Sequence, residues 1–439
     1  MVLRTEYWMM ASPIRYPASP FDIFNVSFER FFDPAMHRVF VLDGMLDAGI
    51  LREATMLLIG SNPYLGARFA EDGDLPVWEA IPEDAWTMAF SIVTGAEDEP
   101  LPRPPPSIDP RKGPQVRVRL YRRRDGDTLA VTCHHGFCDA GGLGIVTRQL
   151  LSIYRNLMKD PAYRPPRLDS YDRGMDQILD LYTEDERRQA LRDEEPFIDR
   201  WGFPYASTGR GEPRIAYRRF PEERLAAVKA FGREHGATVN DILIGCFFLA
   251  LRKVRGDPSD DGEPRSIMSS ADLRRHHCMD AGDLPRNSSV SFQITLSPDE
   301  DAGLADIIGE VTAMMARKKE RAPGLACILF YEGLLEGGMP AVEGFFDAIA
   351  RGHAEEGLKN PVFSNLGIID PDDLTGGDDL LPEIRDVQTL PCVCWPYGFL
   401  LVASTFRERL TLMTGYEKGP YATETVERFL GYMDEYLPG

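Results

Sequence analysis

Residues 131–142 read VTCHHGFCDAGG and place two histidines, two cysteines, an aspartate and two adjacent glycines within twelve positions. Three chemistries are open to such a set. Cys133, His134, His135 and Cys138 are competent metal ligands, but three of them are consecutive. Neighbouring residues of a strand point to opposite faces, so convergence on one ion would need a sharp bend. Redox chemistry would use Cys133 and Cys138, which lack the two-residue spacing that sets one thiol at a helix N-terminus. The third chemistry is general base catalysis. An imidazole titrates near neutrality and can take a proton from a substrate. Asp139, four residues beyond His135, can fix that imidazole directly or brace its loop. Gly141 and Gly142 remove side chains from the approach, and a helix beginning there offers free N–H groups to an anion or a developing oxyanion. The bland counterpart is a buried histidine satisfied by an aspartate in a tight turn. An isolated H-x-x-x-D does not decide between the two.

The elements on either side sharpen the picture. In QVRVRLYRRRDGDTLAVTC, apolar and polar residues alternate from Val116 to Leu120 and from Leu129 to Cys133, with Asp125-Gly126 between them. That pattern predicts a β-hairpin. Its alternation assigns Cys133 to the core beside Leu129 and Val131, as a small buried hydrophobe. Directly after the motif, Leu143, Val146, Leu150, Leu151, Tyr154, Leu157 and Met158 share one helical face. The motif therefore occupies a turn between a buried strand and an amphipathic helix.

Elsewhere, residues 1 to about 90 mix strand-like VFVLDG with a helix ending near Gly60, and residues 94–115 form a proline-rich loop. Residues 160–215 are polar and connecting, with at least one solvated helix. In ATVNDILIGCFFLALRKVRG, Thr238 and Asp241 have capping-box spacing, the following run is apolar all round, and Gly256 can end the helix. A helix apolar on every side is buried in its domain. Strands are expected at 289–297, 399–405 and 409–415, with amphipathic helices around 304–315 and 426–437. Strands and helices alternate in both halves, which predicts two layered α/β domains, 1–180 and 181–439.

Composition narrows the function classes. A chain of 439 residues exceeds one ordinary core. The net charge of −20 disfavours nucleic acid and anionic membranes. The clusters Arg122–Arg124 and Arg317–Lys319 read as solvated faces. Seven scattered cysteines without a C-x-x-C pair suit reduced thiols. The N-terminus has no apolar signal core, and the longest apolar run, Ile242 to Leu251, is half a membrane span. The expectation is a soluble, cytoplasmic protein without a membrane span.

The string His134-His135-Gly136-Phe137-Cys138-Asp139, after a strand and before a helix, resembles the HHxxxDG motif of the CoA-dependent acyltransferase superfamily. That superfamily includes chloramphenicol acetyltransferase, alcohol acetyltransferases, wax ester synthases and the condensation domains of nonribosomal peptide synthetases. Later segments are similar in order: the buried helix after Thr238, SSADLRRHH, NSSVSFQITL, the turn FSNLG at 363–367 and the final hairpin. Ala140 stands where glycine is usual, and the D-F-G-W-G motif of plant BAHD acyltransferases is absent.

The resemblance, nearest to bacterial alcohol acetyltransferases, implies two chloramphenicol acetyltransferase-like α/β sandwich domains with mixed sheets and an active-site tunnel between them. It implies His135 as general base and Asp139 as a structural carboxylate paired with Arg274. His134, Gly141, Gly142, Ser364 and Asn365 would contact substrate. No metal and no permanently bound cofactor are implied, and acyl-CoA would be the co-substrate of a small alcohol or amine. The alternatives are a condensation or acyl-transfer enzyme served by a separate acyl carrier protein, and a non-catalytic binding relative of the fold. His276, His277 and Cys278 read as exposed loop residues rather than a metal site.

Overall fold

The computed structural model describes residues 13–94, 103–194, 196–275, 284–299, 301–320 and 324–439. His276, His277 and Cys278 lie outside the described residues. Two large mixed sheets dominate, each backed by helices. The first has five strands in the order Glu383–Leu390, Ala35–Asp43, Asp127–His134, Val116–Arg122 and Phe90–Thr94. The expected hairpin is its centre: Val116–Arg122 and Asp127–His134 pair antiparallel across Gly126, which takes the positive φ of 137° that suits glycine. Asp127–His134 is buried along its whole length.

The second sheet contains Ser289–Leu296, Arg265–Asp272, Val362–Ile369, Leu400–Phe406 and Arg409–Lys418, with Glu212–Arg219 paired to the last of these. The chain expected as a turn at 363–367 is instead the body of the strand Val362–Ile369. Its pairing with Leu400–Phe406 shifts register between Asn365 and Ile368, and Gly367 takes a φ of 78°. The irregularity is a register shift within a strand, not a turn.

The division expected near residue 180 is crossed twice. Glu383–Leu390, from the second half, joins the first sheet by pairing with Ala35–Asp43. Phe32–Asp33, from the first half, pairs with Val393–Cys394 in the second sheet. The hydrophobic interior still separates into two main cores, one beneath the first sheet and one around the helix Val239–Arg255. That helix has the capping box of Thr238 and Asp241 and ends at Gly256 in the left-handed conformation, as its sequence requires. Among the described residues no single helix is long and apolar enough to cross a membrane.

The helix Ala140–Lys159 follows the motif and lies over the first sheet. Leu143, Val146, Leu150, Leu151, Tyr154 and Leu157 enter the core, whereas Met158 is 43% exposed at the edge of that face. Because its first turn carries the motif, this packing sets where the motif sits. Leu150→Ala should therefore cost about 2–5 kcal/mol by cavity formation. Urea denaturation would show a lowered midpoint, and an unchanged midpoint would contradict the packing role.

Candidate active site

The motif loop is held mainly through its backbone. His135 N–H donates to Pro34 O at 2.9 Å, while the Phe137 and Cys138 amides turn back onto His134 O at 2.9 and 3.3 Å. The Gly136 carbonyl accepts from Asn287 Nδ2 at 3.1 Å, and the Phe137 carbonyl accepts from Arg173 Nη2. Arg173 is in turn gripped in bidentate fashion by Asp22, with Nε and Nη2 each 2.8 Å from a carboxylate oxygen. Trp78 Nε1 donates to the same carboxylate at 3.0 Å. Both members of this ion pair are buried, so each needs the other and the surrounding donors.

Asp139 caps the helix. Its Oδ1 accepts from the Gly142 amide at 2.8 Å. Its Oδ2 accepts from Arg274 Nη1 at 3.0 Å, Ser288 N–H at 2.7 Å and Ser289 Oγ at 3.0 Å. Burial pushes this carboxyl toward the neutral acid, but the Arg274 charge and the amide donors outweigh it and hold the pKa below the usual range. Arg274 also reaches Asp272 Oδ1 at 3.1 Å. A residue of the first half is thereby tied to the strand ends of the second.

The two histidines part company. His134 ends the central strand and is completely buried. Its Nδ1 accepts from Gly136 N–H at 2.9 Å, so Nε2 carries the proton and donates to Glu29 Oε1 at 3.0 Å. Both nitrogens are engaged, and His134 is not among the residues that line the cavity. The Gly142 amide serves Asp139, and a Cβ there would lie 2.6 Å from Cys138 Cβ. It is a packing glycine, not part of the cavity wall.

His135 lines a cavity of about 1620 Å³. Asp139, Ala140 and Gly141 line it from the first half, and Ser270, Ser364 and Asn365 from the second. The volume exceeds the roughly 300–1,000 Å³ of a pocket for one small ligand. Nδ1 of His135 is buried without a hydrogen-bond partner of good geometry. Burial lowers the His135 pKa, an effect opposed by Asp139, by its own carbonyl and by Asn287. The imidazole therefore stays neutral, and able to accept a proton, to a lower pH than an exposed one.

Ser364 Oγ pairs with Ser270 Oγ at 3.0 Å, and Asn365 Oδ1 accepts from Gly367 N–H at 3.0 Å. Cys133 and Cys138 are buried in the first core, and burial pushes the Cys138 thiol well up, away from the reactive thiolate. Among the described residues no group of three or more His, Cys, Asp or Glu side chains is placed to hold a metal ion.

Glu29, Asp22, Arg173 and Asn287 were not singled out from sequence. Asp22 does carry a signal, the capping box Ser19–Asp22 of the helix Pro20–Ser27, but its partner Arg173 is 151 residues away.

No family model and no curated protein matches the sequence. Solved structures match along nearly the whole chain. A trichothecene 15-O-acetyltransferase from Fusarium sporotrichioides superposes with a TM-score of 0.69 at 13% identity, covering 97% of this chain and 95% of that one. Polyketide synthase associated protein 5 from Mycobacterium tuberculosis gives 0.64 at 14%, covering 96% and 98%. The first condensation domain of the CDA synthetase gives 0.64 at 15%, covering 97% of each. This likeness establishes the fold: a mixed α/β architecture of two units with curled sheets.

Asp139→Asn should leave Arg274 opposed by Asp272 alone and the amide donors without a charged acceptor, and cost about 1–3 kcal/mol at neutral pH. Because the folded pKa of Asp139 is depressed, its contribution is complete above the unfolded value of about 3.9 and is lost as pH falls through the folded one. The stability gap between wild type and variant should therefore shrink in acid. Urea titrations across pH that showed a constant gap would contradict the assignment.

Proposed function

We propose that the protein is an acyltransferase that moves an acyl group from a pantetheine thioester, acyl-CoA in the first instance, to a hydroxyl or amine acceptor. The observation that supports this most strongly is the placement of His135. The residue lines a cavity large enough for two substrates, burial favours its neutral imidazole, and its loop is held by the ion pairs Asp22–Arg173 and Asp139–Arg274.

In this reading His135 Nε2 takes the proton from the acceptor O–H or N–H as that atom attacks the thioester carbonyl. The C–S bond then breaks, and the imidazolium returns its proton to the departing thiolate. No acyl-enzyme forms, and holding both substrates in one cavity supplies much of the rate. Asp139 acts through the loop: its oxygens are occupied by Gly142, Arg274, Ser288 and Ser289, so it positions rather than relays a proton. Gly141, whose added Cβ would lie 2.9 Å from Arg274 Nη1, keeps the wall beside His135 thin. The condensation domains among the similar structures favour a second donor, a thioester carried on a separate carrier protein. Following thiol release with acyl-CoA and with acylated carrier distinguishes the two.

His135→Ala should lower acyl transfer by about 10²–10⁴-fold, the range of a general base, with thermal unfolding nearly unchanged. Near-wild-type turnover in this variant would refute the mechanism. In the wild type, kcat/KM should hold its plateau through neutral pH and fall in acid with a midpoint below 6.5, because burial depresses the His135 pKa. An acid limb centred above 6.5 would contradict this.

A further inference from the structure

The same cavity holds a set of polar atoms for which base catalysis has no use. Arg38 lies mid-strand in Ala35–Asp43, opposite Val131 on one side and Thr389 on the other. Its neighbours at two residues either way, Met36 and Phe40, belong to the first hydrophobic core. A guanidinium in that row needs a reason. Arg38 is 7% exposed, makes no hydrogen bond or ion pair among the described residues, and its Nε is buried without a partner. Thr389, directly across the sheet, is 3% exposed, and its Oγ1 is likewise unpartnered.

A second cation stands close by. Arg148, on the helix Ala140–Lys159, also lines the cavity. Burial and the charge of Arg148 together lower the Arg38 pKa to about 10. One turn before Arg148, Gly144 lies close to Arg38: a Cβ there would stand 3.8 Å from Arg38 Nη2, in ordinary contact. Arg38, Gly144, Arg148 and Thr389 line the same cavity as His135. Asp370 and Asp373 line it too, but neither forms an ion pair with Arg38.

A buried charge without a partner is among the costliest features a fold can retain. A buried hydroxyl without one adds to that cost. Retaining both, with a second cation beside them and a cavity in front, suits an anion that arrives from outside. A guanidinium fork matches a carboxylate with two parallel hydrogen bonds, and the hydroxyl can donate a third. The spacing favours a carboxylate over a donor phosphate. Arg38 is three residues along the strand from Ala35, whose cross-strand partner His134 precedes His135. At the rise of a strand that is about 10 Å. A small bifunctional molecule spans such a gap, whereas the whole pantetheine arm separates the CoA phosphates from the thioester.

We propose that Arg38 and Thr389, with Arg148 beside them, form a carboxylate-binding subsite that selects an acceptor or an acyl group bearing a free carboxylate. The proposal rests on the acyl-transfer reading only for the identity of the reacting atom, because carboxylate binding needs no catalysis.

The test is titration calorimetry on the full chain with 6-hydroxyhexanoate against its methyl ester, and with adipoyl-CoA against hexanoyl-CoA. The first pair probes an acceptor carboxylate and the second an acyl carboxylate. The wild type should bind the acid of at least one pair tenfold or more tighter than its neutral partner. Arg38→Gln should bring that ratio near one, and His135→Ala should preserve it, which separates this subsite from the catalytic reading. Arg38→Met removes an unpaired buried charge and should unfold no earlier than wild type while losing the same preference. Equal binding of acid and neutral partner in both pairs, a preference that survives Arg38→Gln, or tighter binding of inorganic phosphate than of 6-hydroxyhexanoate would each overturn the proposal.

Discussion

One carboxylate decides where everything else in the site can be. Asp139 accepts four hydrogen bonds, one from the helix it caps and three from Arg274, Ser288 and Ser289 in the second half of the chain. A capping aspartate normally reports only on its own helix. Here the cap is also the joint between the two sheets' territories, so the helix cannot start elsewhere without pulling Asp139 away from Arg274 and leaving that arginine to Asp272 alone. Such a pair contributes little net stability over a well-packed apolar substitute. What it supplies is register: a fixed starting point for the helix and thus a fixed height for the loop that carries His135.

The Asp22–Arg173 pair performs the complementary task. Asp139 fixes the end of the loop, and Arg173, held by Asp22, reaches the Phe137 carbonyl within it. Asn287 links this pair to the loop, donating to Asp22 Oδ1 and to Gly136 O. The loop backbone is thus anchored from three directions, while the His135 ring carries few constraints of its own. The division is physically sensible. A base must meet a substrate proton and later a leaving thiolate, so its ring needs freedom that its backbone does not.

Local structure was legible in the sequence because local rules generate it. The Asp125-Gly126 hairpin, the capping box at Thr238–Asp241 and the helix stop at Gly256 all depend on residues a few positions apart. Strand alternation likewise sent Cys133 to the core. Pairings across the fold were another matter. Nothing in the run Glu383–Leu390 says that it pairs with Ala35–Asp43 rather than with its sequence neighbours, since alternation specifies a buried face and not a partner. The Asp22–Arg173 and His134–Glu29 contacts were invisible for the same reason. Arg274 was within reach only through the resemblance of its segment. Arg38 was hidden by its setting, where one cation among alternating apolar residues reads as the exposed face of a strand.

Ala140 brings these levels together. Where the resembling motif has glycine, the question is whether the backbone needs glycine or the substrate does. Ala140 is the first residue of the helix and is not among the residues with positive φ, so an L side chain fits its backbone without strain. The next two positions differ. Gly141 would press a Cβ against Arg274 Nη1, and Gly142 would press one against Cys138 Cβ. The glycines that the ion pair and the core demand are therefore the two that are present. The methyl group of Ala140 falls on the cavity wall beside His135. Its consequence belongs to the shape of what can approach the base, and the integrity of the loop does not depend on it.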